Sequence, residues 1–304
     1  MLYAILVGLK EFAPQIYGSY GDWGCWGSEK DVNQIAKLLK PLKYKISKFK
    51  TKKATRDVIL NALKEKAEQC IEGDTLVFYF SGHGGQQPVT DSINIHEQSD
   101  KRNETLCAYD GEIIDDELNK IWLNFRPGVR LVMFSDSCNA GTNFRGFQAS
   151  LKWFRSLVKP AHSKTKSEIK TNPKKSVTLW KPFIKIPQPE MKAQLIHMGG
   201  CPDGGESQGT QAGGDFTLAL VEVWNKGKFE GGYPEFHEAI SKEVESIQRQ
   251  RPQPFIQKPQ YSEYGPVTQE FRNQKPFSPS KTPDSPVRKR ESLFNYFIRH
   301  RVAR

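Results

Sequence analysis

The chain has 304 residues, 37% of them hydrophobic, enough for one large α/β domain or two small ones. Its net charge of +11 is concentrated in two segments: 145–192 carries +10 and 279–304 carries +5, leaving the rest at −4. A charge confined to segments reads as solvated linker and tail rather than as a nucleic-acid surface. No run of 18 or more apolar residues predicts a membrane span.

LYAILVG (2–8) reads as a buried strand that begins at once, with no signal-peptide pattern and no prodomain expected ahead of it. A Gly/Trp/Tyr-rich loop follows at 17–27, then an amphipathic helix over 28–40 with Ile35, Leu38 and Leu39 on one face. YKISKFK (44–50) alternates like a strand, and 54–70 is a helix with Val58, Ile59, Ala62, Leu63 and Ala67 as its apolar residues. DTLVFYFSGHGG (74–85) is a strand running into glycines, 114–125 is helical, and VRLVMFSDSC (129–138) is a second buried strand. Continuous apolar strands separated by helices predict a mostly parallel central sheet with helices on both faces.

The alternation stops at 145–192, which is rich in Lys, Pro, Ser and Thr and reads as a long excursion. A strand at 193–200 then enters a second Gly-rich loop, CPDGGESQGTQAGG, followed by helices at 216–227 and 233–248. PQPFIQ (253–258) suits an edge strand, where prolines are tolerated. Beyond about 273 a Pro/Ser/Arg-rich tail is expected, with a short helix at LFNYFIRH. The expected organisation is a half over 1–144, a basic linker over 145–192, a second half over 193–272 and a flexible basic tail over 273–304.

The five cysteines (25, 70, 107, 138 and 201) are odd in number, widely spaced and without a C-x-x-C pair. That disfavours a disulfide framework and a structural zinc site, and fits a reducing cytoplasm. Two strands end in unusual chemistry: FYFSGHGGQ places His83 past one, and FSDSCNAG places Cys138 at the end of another. Ligands of open α/β sheets bind beyond the carboxyl ends of the strands. If these strands are parallel neighbours, a thiol and an imidazole share one crevice, the minimal arrangement for nucleophilic catalysis. Gly84 and Cys138 would then offer backbone N–H groups to an oxyanion. The other four cysteines, and His96, His162, His197, His237 and His300, have no such setting, and the cysteines read as structural.

Y-x-SGHGG-Q followed 55 residues after its histidine by D-S-C-x-x-G-T resembles the metacaspases and the bacterial caspase-like peptidases called orthocaspases. ETL at 104–106, DDEL at 115–118, GGCPDGG and GGDFT extend the resemblance over about 1–275. It implies a caspase-hemoglobinase fold and a monomeric endopeptidase with Cys138 as nucleophile and His83 as general acid and base. It implies polypeptide substrates with Arg or Lys at P1, held in an acidic S1 pocket by Asp136, Asp31 and Ser81, with Asp203 a further candidate at the rim. Asp136 also stands out chemically, since a carboxylate closing a buried strand is costly unless a cation pairs with it. Asp31 has a second reading, as the fourth residue of a Ser28-x-x-Asp31 capping box.

The family's calcium site would use Asp115 and Asp116 with two further aspartates, but those positions are Asn103 and Arg145. A cation is hostile to calcium, so no metal or other cofactor is expected, and Asp115 and Asp116 read as charges at a helix N-terminus. The 145–192 segment stands where caspase relatives carry an inter-subunit linker, which makes self-cleavage plausible. A silent caspase-like scaffold and a basic nucleic-acid-binding protein are the competing readings; an Asn/Asp-specific legumain-like enzyme is disfavoured by the two pocket carboxylates.

Overall fold

The computed structural model describes residues 1–18, 24–88, 102–139, 191–201, 207–251 and 257–279, with the side chains of 86–88, 102–103 and 138–139 outside that description. All but the last two residues of the expected 145–192 linker (Arg145 among them), Asp203, most of the expected 253–258 strand and the tail from 280 therefore lie outside the described residues.

Five strands form the parallel body of the sheet: β1 (Leu2–Gly8), β2 (Lys45–Lys50), β3 (Thr75–Pro88), β6 (Arg130–Asn139) and β7 (Gln194–Gly199). They run in the order β7, β6, β3, β1, β2, and β10 (Gln260–Tyr264) closes the β7 edge antiparallel. Residues on β3 alternate between the two cores: Leu76, Phe78 and Phe80 pack on one face, Val77 and Tyr79 on the other. A strand apolar on both faces is what a sheet covered on both sides requires.

Helices α3 (Arg56–Gln69) and α4 (Asp115–Trp122) contribute to the first core. Helices α2 (Ser28–Leu39), α5 (Asp215–Trp224) and α6 (Tyr233–Arg249) contribute to the second. A one-turn α1 (Pro14–Tyr17) precedes α2, and α7 (Gln269–Arg272) follows β10. The fold is thus α/β with a mostly parallel central sheet between helical layers, as read from the sequence.

The differences are local. Beyond Gly84, β3 continues as one side of an antiparallel extension with β4 (Arg102–Ala108) and β5 (Gly111–Ile114), which carry too few apolar residues to read as buried strands. The described edge strand on β7 is Gln260–Tyr264, where the half-buried QYSEY segment pairs antiparallel; Gln257 and Lys258, at the end of the expected 253–258 strand, form no ladder. Val58 is 39% exposed, and Leu60 takes the buried position expected of it on α3.

The chain also remains packed past 273. Phe277 is fully buried, its N–H donates to Tyr233 Oη (3.3 Å), and Tyr44 Oη donates to its carbonyl (3.0 Å). Its ring meets Trp224 edge-on at 5.1 Å, so the segment up to this residue belongs to the core.

Candidate active site

Strands β3 and β6 are parallel neighbours, and their register sets Ser81 opposite Asp136 and His83 opposite Cys138. The expectation that both strands deliver their polar residues to one sheet edge thus rests on backbone pairing. The His83 ring is half-buried and stacks on Phe12, with centroids 5.2 Å apart and planes inclined by 30°. Gly84 is in register with Asn139 of β6 on one side and Leu106 of β4 on the other.

A cavity of about 260 Å³ opens beside His83, with Asp31, Ser81, Asp136, Ser207 and Gly214 in its wall. Asp31, from the first turn of α2, is buried. It accepts from Ser81 Oγ (2.8 Å) and from the backbone N–H of Gly214 (3.2 Å to each oxygen). The capping-box reading of Asp31 does not hold: Gly27 occupies the cap position without a side-chain bond, and Asp31 faces the cavity. Burial, reinforced by the charge of Asp136 and moderated by those hydrogen bonds, pushes the Asp31 carboxyl up to about 8.

Asp136 is the more heavily solvated by protein. Ser207 Oγ donates to Oδ1 (2.5 Å), while the Thr217 N–H (3.0 Å) and Thr217 Oγ1 (2.5 Å) both donate to Oδ2. Thr217 Oγ1 spends its proton on the carboxylate, so Tyr79 Oη donates to it in turn, at 2.5 Å. Burial nevertheless raises the Asp136 carboxyl above the usual range; the donors oppose that shift and neighbouring Asp215 adds to it.

Ser207, Gly214 and Thr217 escaped sequence reasoning. Their one signal was position: they begin and end the approach to the GGDFT helix. The hairpin β8 (Gly209–Thr210) and β9 (Gly213–Gly214) lies against α2, and Gln34 Nε2 donates to Ala212 O (3.1 Å). A Cβ on Gly213 would come within 2.3 Å of Asp31 Oδ1, and one on Gly214 within 2.0 Å of Asp136 Oδ2. Both glycines are needed because the hairpin backbone touches the carboxylates themselves. The approach is braced from behind by Arg251, which pairs with Asp215 and donates to Gln208 Oε1 (2.8 Å). Gln257 accepts from Gln208 N (2.9 Å) and donates to Gly200 O (2.9 Å).

Cys25 is half-buried in the cavity wall. Cys70, Cys107 and Cys201 are buried. His197 shares a 2.9 Å hydrogen bond with Ser135 Oγ, but the pair is sealed in the core, and burial holds the imidazole neutral, down at about 3. Asp115 and Asp116 occupy the first turn of α4, where Asp115 is fully buried and accepts from Asp116 N (3.0 Å). Among the described residues no three His, Cys, Asp or Glu side chains group so as to hold a metal ion.

A histidine strand and a cysteine strand side by side, next to an acidic cavity at the carboxyl edge of a parallel sheet, define the caspase class of α/β fold. The caspase domain family model matches residues 1–264, and this chain belongs to that family of cysteine peptidases. Metacaspase-1A of Aspergillus oryzae is 37% identical over 93 residues, 29% of this chain and 21% of that protein. Metacaspase-1B of Aspergillus terreus is 36% identical over 93 residues, 29% of this chain and 24% of that protein. The chain thus spans about a fifth of the length of the curated relatives it matches. Among solved structures, a protein from Geobacter sulfurreducens superposes with a TM-score of 0.70 at 28% identity, covering 92% of this chain and 100% of that one. Caspase-1 from Spodoptera frugiperda superposes with a TM-score of 0.57 at 14% identity, covering 92% and 91%, a likeness of fold.

Proposed function

We propose that the protein is a cysteine endopeptidase that cleaves polypeptides after Arg or Lys. The observation that carries this reading is the pair of buried carboxylates, Asp31 and Asp136, in a cavity that also reaches His83 and has no described Lys or Arg in its wall. Such a site favours a cation, and a guanidinium can bond both carboxylates through its planar fork.

In the proposed cycle the P1 side chain enters this cavity and sets the scissile carbonyl at the β3–β6 edge. Cys138 Sγ attacks the carbonyl carbon as His83 takes the thiol proton. The tetrahedral oxyanion is assigned to the backbone N–H groups of Cys138 and Gly84. The C–N bond breaks, His83 returns the proton to the leaving amine, and water then hydrolyses the thioester to free the acid and the thiol. No metal takes part in these steps. A monomeric, cytoplasmic enzyme able to cut its own basic 145–192 segment completes the reading.

A positional-scanning peptide library, run with and without calcium, tests it. Cleavage restricted to Arg and Lys at P1, insensitive to calcium, is expected. Cleavage after Asp or Asn, or at no defined residue, would contradict it.

A further inference from the structure

The Asp31 and Asp136 carboxylates sit on either side of one backbone element. Asp31 accepts the Gly214 N–H, and Asp136 Oδ2 lies 2.0 Å from where a Gly214 Cβ would be. Among the described residues every donor to either carboxylate is neutral: Ser81, Ser207, Thr217 and the Gly214 amide. Two like charges withdrawn from water and lacking a cation do not both stay ionised.

Other titratable groups stand around the pair among the described residues. Tyr79 of β3 is buried and bonds Thr217. His83 of β3 and Cys25 of the loop before α2 stand in the cavity wall. Asp215 of α5 adds negative charge to the site of Asp136, and its own partners, Arg251 and Gln248, hold it from the far side.

We propose that the Asp31–Asp136 pair keeps one shared proton while the pocket is empty and releases it when a basic side chain enters, so that substrate binding exchanges a proton for a cation. This rests on the basic-P1 reading and specifies how that site works. The charges balance: the pair carries −1 with its proton, and −1 again when both carboxylates are ionised around one guanidinium or ammonium. The buried pocket thus changes ligand without changing net charge, which avoids the cost of burying an added charge. Asp31 supplies the releasable proton, since it has fewer donors than Asp136 and its carboxyl is raised to about 8 by burial and by its neighbour.

Two consequences follow for a peptide ligand. Affinity for an Arg-P1 peptide rises with pH below the titration of the pair, by about tenfold per pH unit. A neutral P1 isostere, citrulline, gains nothing over the same range.

The test uses the full chain carrying Cys138→Ala, which cannot turn over, and an end-blocked peptide with Arg at P1. Binding is measured by isothermal titration at pH 7 in two buffers of different ionisation enthalpy, which gives the number of protons released. Release approaching one proton, abolished by adding Asp31→Asn, is the expected result. Binding without proton release overturns the exchange while leaving the basic-P1 reading intact. Release that survives Asp31→Asn assigns the proton to another group, such as His83, and also overturns it. Failure of the Arg peptide to bind at any pH removes both the exchange and the basic-P1 reading. As a measurement free of any change at Asp31, the same titration repeated from pH 6 to 8 on the unaltered pair must show the steep rise in affinity.

Discussion

Gly214→Ala isolates the contribution of the Asp136 pocket. The backbone there is extended (φ −72°, ψ 145°), a conformation that alanine adopts without strain, so the effect of the methyl group is steric. The new Cβ falls 2.0 Å from Asp136 Oδ2 and 2.6 Å from its Cγ, whereas ordinary contact begins near 3.4 Å. Asp136 or the β8–β9 hairpin must therefore move by about 1.4 Å, from 2.0 to 3.4 Å. Asp136 is held by Ser207 and by two donors of Thr217, so much of that displacement goes into the pocket rather than being absorbed elsewhere. Overpacking of this kind costs about 1–3 kcal/mol of stability. A misplacement of about 1 Å at a positioning contact costs on the order of 100-fold in rate. The assay is kcat/KM on an Arg-P1 peptide, read beside the rate of Cys138 alkylation by iodoacetamide and the thermal midpoint. We expect a fall of about 100-fold in kcat/KM with alkylation retained. A folded Gly214→Ala protein with unchanged kcat/KM would refute the placement of Asp136 in the specificity pocket.

Asp136→Asn removes the charge proposed to face a P1 cation at constant shape; kcat/KM on Arg-P1 peptides is expected to fall by about 2 kcal/mol or more, well over tenfold, with Thr217 still engaged. Asp31 titrates in the fold near 8, above its unfolded value, so its contribution to stability is complete below that unfolded value and is lost as pH rises through about 8. Asp31→Asn should therefore flatten the decline of the thermal midpoint between pH 6 and 9; an unaltered slope would count against the buried pair. Phe12→Ala removes the ring on which His83 stacks, and we expect kcat to fall roughly tenfold with KM little changed, as for loss of a positioning contact. Phe277→Ala empties a fully buried aromatic site against Trp224 and Phe236, and calorimetry should register a loss of about 3–5 kcal/mol.

Much of the fold was legible because its central strands are apolar on both faces. LYAILVG, TLVFYF and RLVMF have nowhere to go but the middle of a covered parallel sheet, and their polar ends mark its functional edge. The β4–β5 hairpin was missed because its strands are partly polar, although Asp110-Gly111 is a turn signal that was there to be read. The Gln260–Tyr264 edge strand was missed because QYSEY is largely polar, and it is pairing with β7 rather than apolarity that makes it a strand. Phe277 was lost inside a Pro/Ser-rich context, where composition masked one anchoring aromatic residue.

Within the site, Asp136 stood out because an acid closing an apolar strand has no structural reason to be there. Asp31 was ambiguous, since three-residue spacing alone does not distinguish a cap from a pocket wall; the bonds from Ser81 and Gly214 resolve it. Ser207 and Thr217 were silent in the sequence because hydroxyl groups acquire their roles from tertiary neighbours.

The central claim, a thiol nucleophile at the end of β6 serving a basic-specific pocket, meets its most direct test in cleavage of one Arg-P1 peptide by wild type and by Cys138→Ala. The account predicts cleavage after Arg by wild type, blocked by iodoacetamide, and none above background in the variant. Equal cleavage by the two proteins would contradict it.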